Sequence, residues 1–96
     1  MFIQHLESDQ VLAIENSLKK DDAVVVFEDQ KRRSNNHQEW NLISAKPDSD
    51  EVFIENRATG FVLDITDKNT DDGAKVASHH KKTRGTDNQC WLINTG

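Results

Sequence analysis

His79, His80 and Cys90 are the side chains of this 96-residue chain best suited to hold a metal or attack an electrophile. Adjacent histidines in a strand point to opposite faces and do not readily share one ion. Neither a cysteine nor an acidic residue stands at ligand spacing from them, so no metal site is expected. Cys90 is the only cysteine, which excludes an intrachain disulfide, and the sequence reveals no base to activate it; a surface or packing thiol is the expectation. Asp67-Lys68-Asn69-Thr70-Asp71-Asp72-Gly73 resembles the start of a calcium loop, but the glycine comes one residue late and Ser78 stands where a bidentate glutamate is needed. It reads as an acidic turn. With no acid–base pair or nucleophile constellation, neither catalysis nor a cofactor is expected.

Charge narrows the partners. A net charge of −5 disfavours general attraction to nucleic acid or an anionic membrane. Basic residues nevertheless cluster in Lys31-Arg32-Arg33 and in His79-His80-Lys81-Lys82-Thr83-Arg84, read as solvated hairpins, with contact to a phosphate, sulfate or polyanion as the alternative. Phe2-Ile3-Gln4-His5-Leu6-Glu7 has neither a basic start nor a sustained apolar run, so no signal peptide or membrane span is legible. The expected location is the cytoplasm, or outside the cell by a route without a readable signal.

The elements that must position any site show themselves through tryptophan. The chain has two, and each follows a glutamine by two residues: Gln38-Glu39-Trp40 and Gln89-Cys90-Trp91. Sliding the chain by the 51 residues between them aligns Phe2-Ile3 with Phe53-Ile54, Val11-Leu12 with Val62-Leu63, and Ile14 with Ile65. Asp21, Ala23, Val25, Lys31, Arg33, Gln38 and Trp40 then meet Asp72, Ala74, Val76, Lys82, Arg84, Gln89 and Trp91. These are too many identities, too consistently apolar, for chance; the chain contains one unit twice.

Within each unit, short apolar pairs and alternations such as Ala23-x-Val25 read as strands, with turns marked by Gly, Asn and Asp. Residues 11–20 make the best helix candidate, but their partners 62–71 are too rich in β-branched and turn residues to support one. About four short strands per unit are expected, and the class is all-β. Lys46-Pro47-Asp48-Ser49-Asp50 forms the polar joint between a unit of residues 1–48 and one of residues 49–96. Placed in a strand, Gln38 and Trp40 share a face, as do Gln89 and Trp91. The tryptophans are expected to build core, and the glutamine amides to satisfy backbone groups of a neighbouring turn.

These units resemble the repeats of the ricin-type lectins, whose β-trefoil fold is built from units closing with Gln-x-Trp. The second unit carries the fuller pattern: Thr59-Gly60-Phe61-Val62-Leu63-Asp64-Ile65, Asp72-Gly73-Ala74-Lys75-Val76 and Asn88-Gln89-Cys90-Trp91. The resemblance implies a glycan-binding module. Asp64 would accept hydrogen bonds from neighbouring sugar hydroxyls, Asn88 would add an amide donor and acceptor, His79 would supply a flat platform, and Lys82 and Gly73 would complete the site. Ala77 departs from the pattern, where a glutamine often stands, and the paired cysteines common in the family are absent. In the first unit Ala13, Glu28 and His37 replace Asp64, His79 and Asn88, so that unit is read as structural. The alternative is a non-sugar trefoil acting on proteins, as an interaction or inhibitor module working through its loops.

A β-trefoil has three such units and this chain has two, about two-thirds of the fold. Its open edges and half-exposed core imply completion by a homo-oligomer or a partner chain, unless the sequence is a fragment of a longer protein.

Overall fold

The computed structural model describes residues 1–93. Among them the chain forms six antiparallel strands and four single-turn 3₁₀ segments, and no α-helix. In chain order the strands are β1 (Val11–Ile14), β2 (Ala23–Glu28), β3 (Trp40–Ser44), β4 (Val52–Asn56), β5 (Val62–Ile65) and β6 (Val76–His79). Their spatial order is β1-β2-β6-β5-β4-β3. The all-β expectation holds, and residues 11–20 form β1 and a 3₁₀ turn instead of a helix.

The same elements recur at the 51-residue offset. Strands β1 and β5 coincide under it, as do the 3₁₀ segments Glu15–Ser17 with Thr66–Lys68 and Asn36–Gln38 with Asp87–Gln89. Each unit shows three strands, not four, with a further position marked by an isolated bridge: Gln4↔Val11 in the first unit and Val52↔Trp91 in the second. The counterpart of β3, at residues 91–95, runs beyond the described residues.

Two strand pairings join the units. β3 pairs with β4 from Trp40↔Asn56 to Ser44↔Val52, across the polar joint. β2 pairs with β6 at Ala23↔Ser78 and Val24↔Ala77, so the two hairpins β1–β2 and β5–β6 meet side by side. The core beneath is built from Ile14, Ala23, Trp40, Ile54 and Leu63. β-Branched and aliphatic residues fill these strands because they suit a pleated surface covered on one face.

Equivalent residues differ in burial according to which flank they occupy. Trp40 is wholly buried, whereas Trp91 is only partly so. Ile54 and Phe53 are buried, whereas Ile3 and Phe2 remain half-exposed. Trp40, Phe53 and Ile54 lie where one unit abuts the other; Trp91, Phe2 and Ile3 lie on the outer flanks. Full burial of a tryptophan is worth about 4–6 kcal/mol of gross hydrophobic transfer, so the open flank forgoes part of a substantial term.

The turns superimpose even where their residues differ. Gly60, Gly73 and Gly85 adopt φ of +75°, +81° and +60°, and their first-unit counterparts Asp9, Asp22 and Ser34 adopt +61°, +64° and +51°. The geometry of the unit demands left-handed backbone at these points, which costs a residue with a Cβ about 1–2 kcal/mol. Ser34→Gly should therefore stabilise the protein by about 0.5–1 kcal/mol after allowing for the greater freedom of glycine in the unfolded chain. The check is a rise in the urea midpoint at unchanged slope.

Candidate functional site

The site begins with a buried amide. Gln89 is fully buried at the end of the 3₁₀ segment Asp87–Gln89. Its Oε1 accepts the Lys82 main-chain N–H (3.0 Å), and its Nε2 donates to the His80 carbonyl (2.9 Å) and to Asp64 Oδ2 (3.0 Å). The expected satisfaction of turn backbone is thus present, but the placement differs from the sequence reading. Gln38 and Gln89 both end 3₁₀ turns and do not lie in the strand with their tryptophans. The tryptophan indoles make matching contacts: Trp40 Nε1 donates to the Leu12 carbonyl and Trp91 Nε1 to the Leu63 carbonyl.

Asp64 is the third residue of β5 and is buried. Asn88 Nδ2 donates to the same oxygen that Gln89 holds, Asp64 Oδ2 (3.1 Å), and also to the Ile65 carbonyl (3.2 Å). Two amides on one oxygen fix the carboxylate's orientation. Its other oxygen, Oδ1, takes no protein donor among the described residues. Asn88 Oδ1 in turn accepts from Lys82 Nζ (3.3 Å). Both N–H groups of Asn88 are therefore committed, and of the donor and acceptor expected of it only the acceptor remains open to a ligand.

These groups surround an open hollow of about 350 Å³ lined by Asp22, Asp64, Asp67, Lys68, His79, Lys82 and Asn88. Four of the five expected residues, Asp64, His79, Lys82 and Asn88, come together there. Gly73 does not line the hollow; it is exposed in a turn at φ +81°. Sequence reasoning missed Asp22, Asp67 and Lys68. Asp67 and Lys68 belong to the acidic turn between β5 and β6, and their left-handed backbone (φ +56° and +54°) was not legible. Asp22 comes from the first unit across the β2–β6 pairing, which no local pattern announces.

The first unit solves the same problem differently. Gln38 is fully buried; its Oε1 accepts the Lys31 N–H (2.9 Å), and its Nε2 donates to the Asp29 carbonyl (2.8 Å) and to Glu28 Oε1 (2.8 Å). His37 Nε2 reaches the same Glu28 oxygen at 2.7 Å. With Ala13 in place of an aspartate, the carboxylate arrives on the longer arm of Glu28, from the position that His79 holds in the second unit. Burial opposes the charge on Glu28, but hydrogen bonds from Gln38 and His37 outweigh it and hold the carboxyl below its usual range.

The histidine pair also departs from the sequence reading. β6 ends at His79, so strand alternation lapses at His80, and the two rings lie 4.4 Å apart, centroid to centroid. Asp21 of the first unit approaches both, 3.7 Å from His79 Nε2 and 2.9 Å from His80 Nδ1. Cys90 is partly buried, its Sγ 3.7 Å from Thr86 Oγ1.

Among proteins of known family, the ricin-type beta-trefoil lectin domain-like family matches the chain over residues 1–79 and again over 38–96. Three solved structures share the fold. A designed three-fold symmetric protein, ThreeFoil, aligns with a TM-score of 0.84 at 26% identity, over 95% of this chain and 61% of that one. 1,3Gal43A, an exo-β-1,3-galactanase from Clostridium thermocellum, aligns at 0.78 with 23% identity, over 95% of this chain and 18% of that one. The mdaA-1 domain aligns at 0.70 with 18% identity, over 84% and 46%. The chain thus spans less than two-thirds of the length of each. No curated protein matches it. No helix among the described residues is long and apolar enough to cross a membrane.

The Glu28 lock gives a pH signature. Because its folded-state pKa is lowered, its stabilisation is present above the ordinary glutamate range and disappears as pH falls through and below that range. Wild type should exceed Glu28→Gln in stability by about 1 kcal/mol at pH 7, and by progressively less at an acidic pH below the ordinary glutamate range. Urea denaturation at both pH values checks this.

Proposed function

The chain belongs to the ricin-type beta-trefoil lectin domain-like family, and from that premise we propose that it is a non-catalytic carbohydrate-binding module whose second unit takes one sugar residue of a glycan. The observation that carries the reading is the state of Asp64. Its Oδ2 is pinned by Asn88 and Gln89, and its Oδ1 is left without a protein donor among the described residues, at a polar hollow. A carboxylate held this way accepts hydrogen bonds from two adjacent hydroxyls without first reorienting. Asn88 Oδ1 accepts from a further hydroxyl, the Lys68 and Lys82 ammonium groups donate to sugar oxygens, and the His79 ring covers an apolar patch of the pyranose. Three carboxylates (Asp22, Asp64, Asp67) against two lysines suit a polyhydroxylated ligand without strong charge.

The reading extends to assembly. Two units occupy 61% of the length of a three-fold symmetric trefoil, and Trp91, Ile3 and Phe2 are incompletely covered on the outer flanks. A third unit, from another copy of this chain, a partner or further sequence, would cover them. A single sugar pocket binds weakly, and bringing several together raises avidity without any new contact.

A glycan screen tests the binding claim. Wild type should retain a defined set of glycans, and Asp64→Ala, shown folded by near-UV circular dichroism, should lose at least about 10- to 100-fold in affinity, the worth of one or two hydrogen bonds to a charged group. Binding to no glycan, or equal binding by Asp64→Ala, would contradict it; retained protein partners with no glycan would favour the loop-based interaction module. For assembly, light scattering of the chain as given should report a mass above the monomer at micromolar concentration. A cooperative, sharply melting monomer would contradict it.

A further inference from the structure

β2 and β6 run antiparallel, and continuing their register beyond Ala23↔Ser78 brings Asp21 opposite His80. The His80 main-chain N–H donates to Asp21 Oδ1 at 2.9 Å, locking the carboxylate at the seam between the units. His80 Nδ1 lies 2.9 Å from Asp21 Oδ1 and 3.0 Å from Oδ2, and His79 Nε2 lies 3.7 Å from Oδ2. One ligand atom from each residue falls within 4.8 Å of the other two. A tetrahedral ion with bonds of about 2.0–2.1 Å places its ligands roughly 3.3 Å apart. The two separations to Asp21, 2.9 and 3.7 Å, lie on either side of that edge, and the ligand atoms of the two histidines stand within 4.8 Å of each other, so rotation of the side chains closes the set around one ion.

The protonation pattern points the same way. His79 Nδ1 lies 3.0 Å from the His80 carbonyl oxygen. A carbonyl can only accept, so Nδ1 donates there and Nε2 is the atom that faces Asp21, open to a cation once it carries no proton. Ligating histidines commonly donate their other ring N–H to a backbone carbonyl, which fixes the tautomer.

We propose that Asp21, His79 and His80 form a site for a divalent transition-metal ion of the zinc class at the seam between the two units. Two imidazoles and one carboxylate suit Zn²⁺, Co²⁺ or Ni²⁺, whereas Ca²⁺ and Mg²⁺ require six or more oxygens. Asp21 and His80 are exposed, which gives the ion a path in and leaves the fourth position to water. On binding, the ion replaces the proton on His80 Nδ1; a neutral ring keeps that proton at Nε2, and a protonated ring releases one to solvent. Both units contribute ligands, so the ion ties them together. His79 also lines the sugar hollow, but Asp21 and His80 do not, so a failed metal site and a failed sugar site give separate results.

The experiment is calorimetric titration of the tag-free full chain with Zn²⁺, in the absence of sugar. One ion per chain should bind, with no heat from Ca²⁺ or Mg²⁺ at the same concentrations. His80→Ala and Asp21→Asn should each weaken binding by more than the roughly 10- to 100-fold typical of losing a supporting hydrogen bond. Absence of Zn²⁺ binding, or binding kept by both variants, would overturn the proposal; the latter would place the ion at His5, His37 or Cys90. If a variant does not fold, imidazole resonances of the wild type decide. Zn²⁺ should shift those of His79 and His80 and leave His5 and His37 in place; the reverse would overturn the site.

Discussion

A buried glutamine amide must find a partner for every N–H, and much of this protein follows from how that demand is met twice. Gln38 and Gln89 are both inaccessible to water. Each accepts a main-chain N–H seven residues back, from Lys31 or Lys82, and donates to a carbonyl nine residues back, of Asp29 or His80. The remaining N–H goes to a carboxylate. In the second unit the strand supplies it, as Asp64; in the first unit Glu28 does, because Ala13 cannot. Leaving such a donor unpaired in the interior costs roughly 1–3 kcal/mol, so each unit has a carboxylate at this point.

The source of the carboxylate separates the two units in structure. When Asp64 fills the position from β5, the end of β6 is free to present His79 to the hollow. When Glu28 fills it, the residue at the platform position is itself consumed, and His37 is held against it at 2.7 Å. The difference between a unit with an open hollow at its carboxylate and a self-satisfied one comes down to an alanine at position 13 and a glutamate at position 28.

Much of this was legible in the chain. Paired apolar residues at a 51-residue offset announced the strands, and turn residues ruled out the helix at residues 11–20. Asp64, His79, Lys82 and Asn88 follow from the resemblance to the Gln-x-Trp lectin repeats, and the fold brings the four to one hollow. What escaped depended on backbone detail or long-range register. Alternation could not distinguish the 3₁₀ ends Asn36–Gln38 and Asp87–Gln89 from strand. Gly73, expected at the site, stands outside the hollow in a left-handed turn that Asp22 also adopts. Asp22, in the hollow, and Asp21, beside the histidines, arrive through the β2–β6 pairing, some 57–59 residues distant in sequence from their neighbours. The strand rule that set His79 and His80 on opposite faces fails because the strand stops between them.

The central claim is that the hollow around Asp64 is where a glycan binds. The most direct measurement is a titration of the ¹⁵N-labelled chain with a glycan that it retains, followed by chemical-shift changes of backbone and side-chain amides. The account predicts shifts concentrated at Asp64, Lys68, His79, Lys82 and Asn88, including the side-chain amides of Asn88 and Gln89, with Gln38 unmoved. Shifts centred on the first-unit pair Glu28 and His37, or on the open flank at Ile3 and Trp91, would contradict it.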